Sequence, residues 1–107
     1  MNVIELREYR IKPGKTRQWL TWMEQEILPY QQSKGVELVN SYTYSDDKGD
    51  EWFVWLRKFK DEQSRQAVYS LLYDQWWIDN VRPKVFELID ESSVKVRLLQ
   101  PAFGDES

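Results

Sequence analysis

VELVNSYTYSDDKGDEWFVWLRKF, residues 36–59, predicts two β-strands joined by a tight polar turn. Both flanks, 36–44 and 51–59, are rich in Val, Thr, Tyr, Phe and Trp, which favour extended structure. The segment between them, 45–50, reads Ser-Asp-Asp-Lys-Gly-Asp and is typical of a hairpin loop. The stretch therefore predicts an antiparallel hairpin in the middle of the chain.

The residues before the hairpin predict one strand and one helix. Residues 2–11 favour a strand, and Lys12-Pro13-Gly14 is a strong turn signal after it. Between residues 15 and 33, apolar side chains recur at helical spacing. These are Trp19, Met23, Ile27 and Tyr30. We expect Pro29 to kink or end this helix locally, and Gly35 suits its C-terminal stop.

The residues after the hairpin predict more helix and a final strand. Asp61 is a suitable N-cap for a helix. Its expected apolar stripe consists of Ala67, Val68, Leu71 and Leu72. The pair Trp76-Trp77 either continues this helix or interrupts it, and Arg82-Pro83 predicts a boundary before a third helix that ends near Asp90. A last strand is expected over residues 92–100.

The resulting order, strand–helix–strand–strand–helix–strand, is that of an α+β ferredoxin-like fold. Right-handed crossovers place the first and third strands in the middle of an antiparallel sheet, with the helices on one face. We expect one domain over residues 1–101 and a flexible C-terminal tail over residues 102–107. The uncovered sheet face is expected to bind a second copy of the chain.

Composition excludes several classes of function. The chain has 107 residues, a net charge of -3, no cysteine and no histidine. These features argue against a nucleic-acid partner, disulfides, a metal site, a haem held by histidine and catalysis by an imidazole base. We therefore expect no cofactor. No apolar run is long enough to span a bilayer, so we also expect no membrane partner and a cytoplasmic location.

Side-chain alternation predicts what each face of the sheet carries. We expect the aliphatic set to face the helices: Ile4, Leu6, Val54, Leu56, Val94, Val96 and Leu98. The opposite, uncovered face then carries ionic and aromatic side chains: Glu5, Arg7, Tyr9, Phe53, Trp55, Arg57, Phe59, Lys95, Arg97 and Leu99. Packing two such faces together would enclose a polar, aromatic-walled space.

Several motifs in this order resemble the NIPSNAP family over nearly the whole chain, from Val3 to Pro101. They are ELREYRIKPGK (5–15), EILP (26–29), FVWLRKF (53–59), the Trp77–Val85 stretch ending in RPKV, and VRLL (96–99) followed by Pro101. The resemblance implies membership of the dimeric α/β-barrel superfamily, in which two ferredoxin-like protomers pack sheet against sheet. It implies no defined activity.

The sequence leaves the function open between three hypotheses. The first is a homodimer that binds a small molecule between its two sheets, with Glu5, Arg7, Tyr9, Phe53, Trp55, Arg57 and Arg97 as candidate cavity residues. The second is a cofactor-free oxygenase or isomerase acting on a small aromatic or carbonyl compound, with Tyr9 or Glu5 as acid or base. The third is an interaction module with a filled barrel. In the third case the charged residues form a structural ion-pair network and the aromatic residues are packing anchors.

Overall fold

The computed structural model describes residues 2–103 of the chain. Its elements in chain order are β1 (Val3–Arg10), α1 (Thr16–Trp22), a π-helical segment (Met23–Ile27), α2 (Leu28–Ser33), β2 (Glu37–Ser45), β3 (Glu51–Phe59), α3 (Glu62–Leu72), α4 (Gln75–Asn80), α5 (Arg82–Leu88), a 3₁₀ turn (Glu91–Ser93) and β4 (Lys95–Leu99). The predicted alternation of strands and helices is confirmed, and the second helical region is divided into three short helices. Most of the predicted tail, residues 104–107, lies outside the described residues.

The four strands form one antiparallel sheet in the order β2-β3-β1-β4. The first and third strands are therefore central, as the crossover argument predicts. The two central strands pair from Val3 with Phe59 to Arg10 with Trp52. A mixed α+β architecture with this sheet is compatible with a ferredoxin-like fold.

The first helical region loses its regular α-helical bonding just before Pro29. It does not end there: a π-helical segment, Met23–Ile27, follows α1, and the chain continues as α2 with Pro29 in its first turn. Proline has no backbone N–H, and its ring clashes with the carbonyl four residues earlier. A wider turn just before Pro29 relieves this conflict, because π-helical bonding skips the blocked partner.

The second helical region breaks at Tyr73, just before α4. Asp61 caps α3 as predicted, because its side chain accepts a hydrogen bond from the Ser64 N–H at 2.7 Å. Asp74 then caps α4 in the same way through the Trp77 N–H. The predicted stripe of α3 is partly wrong, since Ala67 and Leu71 are exposed. Val68 and Leu72 point inward as predicted, together with Arg65 and Tyr69.

The predicted faces of β1 and β3 are reversed. The side chains that pack beneath the helices are Val3, Glu5, Arg7, Tyr9, Phe53, Trp55, Arg57 and Phe59. Glu5 and Arg57 are completely buried. The rule that a helix-covered face must be aliphatic fails here, because the buried polar groups satisfy one another and the aromatic rings supply most of the apolar area.

The opposite sheet face, which we call the open face, carries the aliphatic residues of the central strands. Strand pairing brings Ile4, Leu6, Val54, Leu56 and Leu99 to this face together with Arg97 and Lys95. Most of these side chains are partly or fully exposed. Among residues 2–103, no helix is both long enough and apolar enough to cross a membrane.

Candidate functional site

A buried ion pair lies at the centre of the helix-covered face. Glu5 and Arg57 are directly opposite each other on β1 and β3, so their side chains point the same way. The Arg57 Nε donates to Glu5 Oε1 at 2.8 Å, and Arg57 Nη2 lies 2.5 Å from the same oxygen. This forked contact fixes the guanidinium plane against the carboxylate.

Helix α3 adds two groups to this ion pair. Arg65 donates from Nε to Glu5 Oε2 at 2.8 Å, and the Tyr69 hydroxyl donates to the same oxygen at 2.5 Å. Arg7 contributes more loosely, with its Nη1 3.7 Å from Glu5 Oε1. Arg65 also pairs with Glu62, whose side chain is 42% exposed. Three guanidinium groups thus contact Glu5, and one of them also contacts Glu62.

Two further polar side chains complete the network around Arg57. Its Nη1 donates to Gln31 Oε1 at 2.7 Å and to the Tyr73 hydroxyl oxygen at 3.0 Å. Gln31 comes from α2 and is itself buried. The network therefore ties the sheet to both helical regions through hydrogen bonds.

The surroundings fix the protonation states of Glu5, Tyr69 and Tyr9 at neutral pH. Burial alone would raise the pKa of the Glu5 carboxyl, but the charge of Arg57 and the hydrogen bond from Tyr69 lower that pKa below its usual value. Burial raises the pKa of Tyr69 to about 12, and the hydrogen bond to Glu5 acts in the same direction. Burial also raises the pKa of Tyr9. At neutral pH the site therefore holds a carboxylate and protonated hydroxyls.

A cavity of about 310 Å³ lies beside this network, between the sheet and the helices. Its floor comes from β1 and β3, through Arg7, Tyr9 and Trp55. Its walls come from the helices and the connection to β4: Trp19, Met23, Ile27, Gln31, Tyr69, Tyr73, Trp77, Ile78, Arg82, Val85, Phe86, Ile89 and Val94. Because Ile78 and Arg82 are exposed, the cavity reaches the surface between α4 and α5.

The polar end of the cavity is built from hydrogen bonds that leave donors unused. The Tyr9 hydroxyl oxygen accepts from Arg7 Nε at 2.6 Å and from Trp55 Nε1 at 3.0 Å. The Tyr73 oxygen likewise accepts from Arg57 and, at 3.4 Å, from Gln31. Within residues 2–103, neither hydroxyl donates its own proton to an acceptor.

One wall residue carries an orphaned donor. Trp19 is 2% exposed and lines the cavity, and its indole Nε1 has no hydrogen-bond partner within residues 2–103. A buried donor without an acceptor costs roughly 1–3 kcal/mol.

The structure brings most of the predicted site residues together, but in a different place. Arg7, Tyr9 and Trp55 line the cavity, and Glu5 with Arg57 forms the network beside it. Phe53 packs against Tyr9 and Trp19, with ring centroids 6.3 and 5.7 Å away. Arg97 is separated from all of these, because it pairs with Leu6 and points to the open face. The predicted position between two sheets is therefore wrong for Glu5, Arg7, Tyr9, Phe53, Trp55 and Arg57, because these side chains face the helices of their own chain, whereas Arg97 does lie on the open face.

Sequence reasoning missed four polar contributors from the helices: Gln31, Arg65, Tyr69 and Tyr73. A signal for two of them was present, since Arg65, Val68, Tyr69 and Leu72 recur at the spacing of one helix face. That spacing includes a charged residue, so a search for an apolar stripe passes over it.

The sequence matches the NIPSNAP family model over residues 4–102. Among solved structures, an uncharacterised NIPSNAP-like domain protein from Burkholderia xenovorans is similar with a TM-score of 0.79 and 21% identity, covering 98% of this chain and 90% of that one. A NIPSNAP family protein with unknown function from Agrobacterium tumefaciens has a TM-score of 0.77 and 26% identity, covering 94% and 88% of the two chains. A search of curated proteins gives no match.

Proposed function

Since the chain belongs to the NIPSNAP family, we propose that it binds a small molecule in the cavity between its own sheet and helices. The two similar family structures are of proteins that are uncharacterised or of unknown function, so the proposal rests on the cavity. The observation that carries this proposal is the 310 Å³ space with one polar end and otherwise apolar walls. Ligand sites have this character, with mostly apolar linings and a few convergent polar groups. The volume is at the lower end of the usual range, which favours a small ligand.

Binding without chemistry is favoured over a cofactor-free reaction that begins by removing a proton. None of the described lining residues is a carboxylate, and the chain has no histidine. Glu5 is held by Arg57, Arg65 and Tyr69, so its oxygens are already occupied. Tyr9 has a pKa raised by burial, which makes its phenolate scarce at neutral pH. The residues of this cavity therefore suit holding a ligand better than deprotonating one.

The proposal also includes a homodimer formed through the open face. The open face carries Ile4, Leu6, Val54, Leu56 and Leu99 close together, with the charged residues Glu8, Lys58 and Arg97 among them. Proteins commonly cover an exposed apolar cluster rimmed by polar residues with a partner. Packing two such faces would give the barrel arrangement that the family resemblance implies. In this arrangement each protomer keeps its own cavity, and the aliphatic and charged side chains of the two open faces meet between the sheets.

Cavity binding is tested by filling the cavity. Val85 lines it from α5, so Val85→Trp should occupy space that a ligand needs. Leu71→Trp is the matched control, because Leu71 is 57% exposed on the outside of α3. Native mass spectrometry of freshly purified protein should show a bound small molecule in the wild type and in Leu71→Trp, with loss in Val85→Trp. Equal retention in all three proteins would show that the cavity is not the binding site.

The dimer is tested at the centre of the open face. Leu6→Glu places a charge in the middle of the apolar patch and should convert a dimer into a monomer in light-scattering measurements. Leu71→Glu introduces the same charge on an exposed helix surface and should leave the dimer intact. A wild-type protein that is monomeric at micromolar concentration would refute this part of the proposal and leave the cavity argument unaffected.

A further inference from the structure

The polar end of the cavity offers hydrogen-bond donors and no free acceptor of matching strength. The hydroxyl oxygens of Tyr9 and Tyr73 accept hydrogen bonds, but their O–H groups have no acceptor within residues 2–103. Arg7 uses Nε on Tyr9 and Nη1 on Tyr69, while its Nη2 makes no hydrogen bond to the described residues. Guanidinium groups have no acceptor atoms. A ligand that meets these three side chains must therefore present acceptor atoms.

The charges around the cavity favour a negatively charged ligand. Glu5 is shared by Arg57 and Arg65, and Glu62 is paired with Arg65. Arg7 is the guanidinium left over, since its closest carboxylate oxygen is already held by Arg57. Its side chain is 16% exposed. A mostly buried cation without its own counter-ion is costly, and a ligand anion would offset that cost.

Burial and the surrounding oxygens keep Arg7 and Tyr9 protonated, so that both side chains can donate hydrogen bonds. Burial alone would lower the pKa of Arg7, but the oxygens of Tyr9, Tyr73 and Tyr69 raise that pKa above its ordinary value. The pKa of Tyr9 is raised by burial, so its hydroxyl keeps its proton at neutral pH. Arg7 and Tyr9 are therefore donors over the physiological range.

The rest of the cavity favours a flat, apolar ligand body. Aromatic rings of Trp19, Trp55, Trp77 and Phe86 contribute to its floor and walls. Rings of this kind pack well against a second flat ring, in stacked or edge-to-face geometry. The small volume limits the body to a compact ring system.

We infer that the ligand is a small aromatic carboxylate, with its carboxylate on Arg7, Tyr9 and Tyr73 and its ring between the aromatic walls. A carboxylate has two oxygens and about four lone-pair sites, so it can accept from all three side chains at once. A guanidinium also matches the plane of a carboxylate. This inference rests on the proposed function and adds the chemical class of the ligand.

The test compares carboxylates with their uncharged amides. Benzoate, cinnamate and naphthalene-2-carboxylate, each beside its carboxamide, are titrated into wild-type protein by isothermal calorimetry. Protein refolded from denaturant and dialysed is used, so that no co-purified molecule competes. The carboxylate of at least one pair should bind about tenfold or more tightly than its amide, because a charge-assisted contact replaces a neutral one.

Two variants assign that preference to the proposed contacts. Arg7→Met keeps the length of the side chain and removes its charge, and it should abolish the preference for the carboxylate. Tyr73→Phe removes one O–H donor and should weaken carboxylate binding by several-fold. Arg17→Met is the matched control, because Arg17 is exposed on α1 and does not line the cavity. It should keep the preference, and near-UV circular dichroism confirms the fold of each variant.

The outcomes separate this inference from the proposed function. An amide that binds as tightly as its carboxylate overturns the inference and leaves small-molecule binding in place. A carboxylate preference that survives in both Arg7→Met and Tyr73→Phe also overturns it, because the anion then binds elsewhere. If none of the six compounds binds and Val85→Trp releases no molecule, both the inference and the proposed function fail.

Discussion

Replacing Glu5 with glutamine should strongly destabilise the protein. The carboxylate of Glu5 has no exposed surface and accepts from Arg57, Arg65 and Tyr69. Glutamine keeps the shape but removes the charge, and its amide group adds donors where the site already contains three guanidinium groups. Removing one partner of a buried ion pair costs about 3–5 kcal/mol. This is a large part of the roughly 5–15 kcal/mol that stabilises a typical domain.

The assay is urea unfolding followed by tryptophan fluorescence, with the slope of the transition compared between proteins. Glu91→Gln is the matched control, because Glu91 is 64% exposed and its contact with Arg82 is 3.4 Å long. That change should alter the free energy of unfolding by less than about 0.5 kcal/mol. If Glu5→Gln and Glu91→Gln unfold at the same urea concentration as the wild type, the network does not stabilise the fold as argued.

The difference in unfolding free energy between the wild type and Glu5→Gln should depend on pH. The pKa of Glu5 is lower in the folded protein than in the unfolded chain, so its contribution is present above the unfolded pKa of about 4.3 and is lost as pH falls through the folded value. The stability advantage of the wild type over Glu5→Gln should therefore be constant from neutral pH down to about pH 5. Below that it should shrink. An advantage that stays undiminished in acid would contradict the assignment of the effect to the Glu5 charge.

Three other changes test separate parts of the structure. Trp55→Asp should lower the free energy of unfolding by at least about 3–5 kcal/mol, because Trp55 is 2% exposed beneath the helices. Loss of the near-UV circular dichroism signal would show this effect. A variant that keeps the signal would refute the buried position of Trp55 and favour the open face. Arg97→Ala should leave carboxylate affinity unchanged in calorimetry, since Arg97 points away from the cavity, and a large loss would refute that placement. Gly35→Ala should lower the free energy of unfolding by about 1 kcal/mol in urea, because Gly35 has a φ of +97° with open space around it. Gly35→Asn should lower it by less. Equal losses in the two variants would show that the effect does not come from the backbone conformation.

The order and pairing of the strands could be predicted from the sequence, because those features depend on local signals. The turn at 45–50 and the Pro-Gly turn after β1 set the strand ends, and the crossover rule sets which strands are central. The N-cap role of Asp61 also follows from its own side chain and its neighbours.

The faces of β1 and β3 could not be predicted in the same way, because both faces of these strands are apolar enough to be buried. The choice depends on which set of polar groups can be satisfied, and the partners of Glu5 and Arg57 come from Gln31, Arg65 and Tyr69 on distant helices. Local alternation contains no information about those partners. Most of the candidate residues therefore come together beneath the helices of their own chain rather than between two sheets, and their role in binding stays a prediction.

The wide turn at Met23–Ile27 sets the rotational phase of everything after it in the first helical region. Met23 and Ile27, the first and last residues of this segment, line the cavity, and Gln31 in the following helix α2 contacts Arg57. Since each residue of an α-helix advances by about 100°, deleting one residue from this segment would swing Gln31 toward solvent and strip Arg57 of its amide partner. A single-residue deletion there would thus disconnect the helix from the charge cluster while leaving its length and composition almost unchanged.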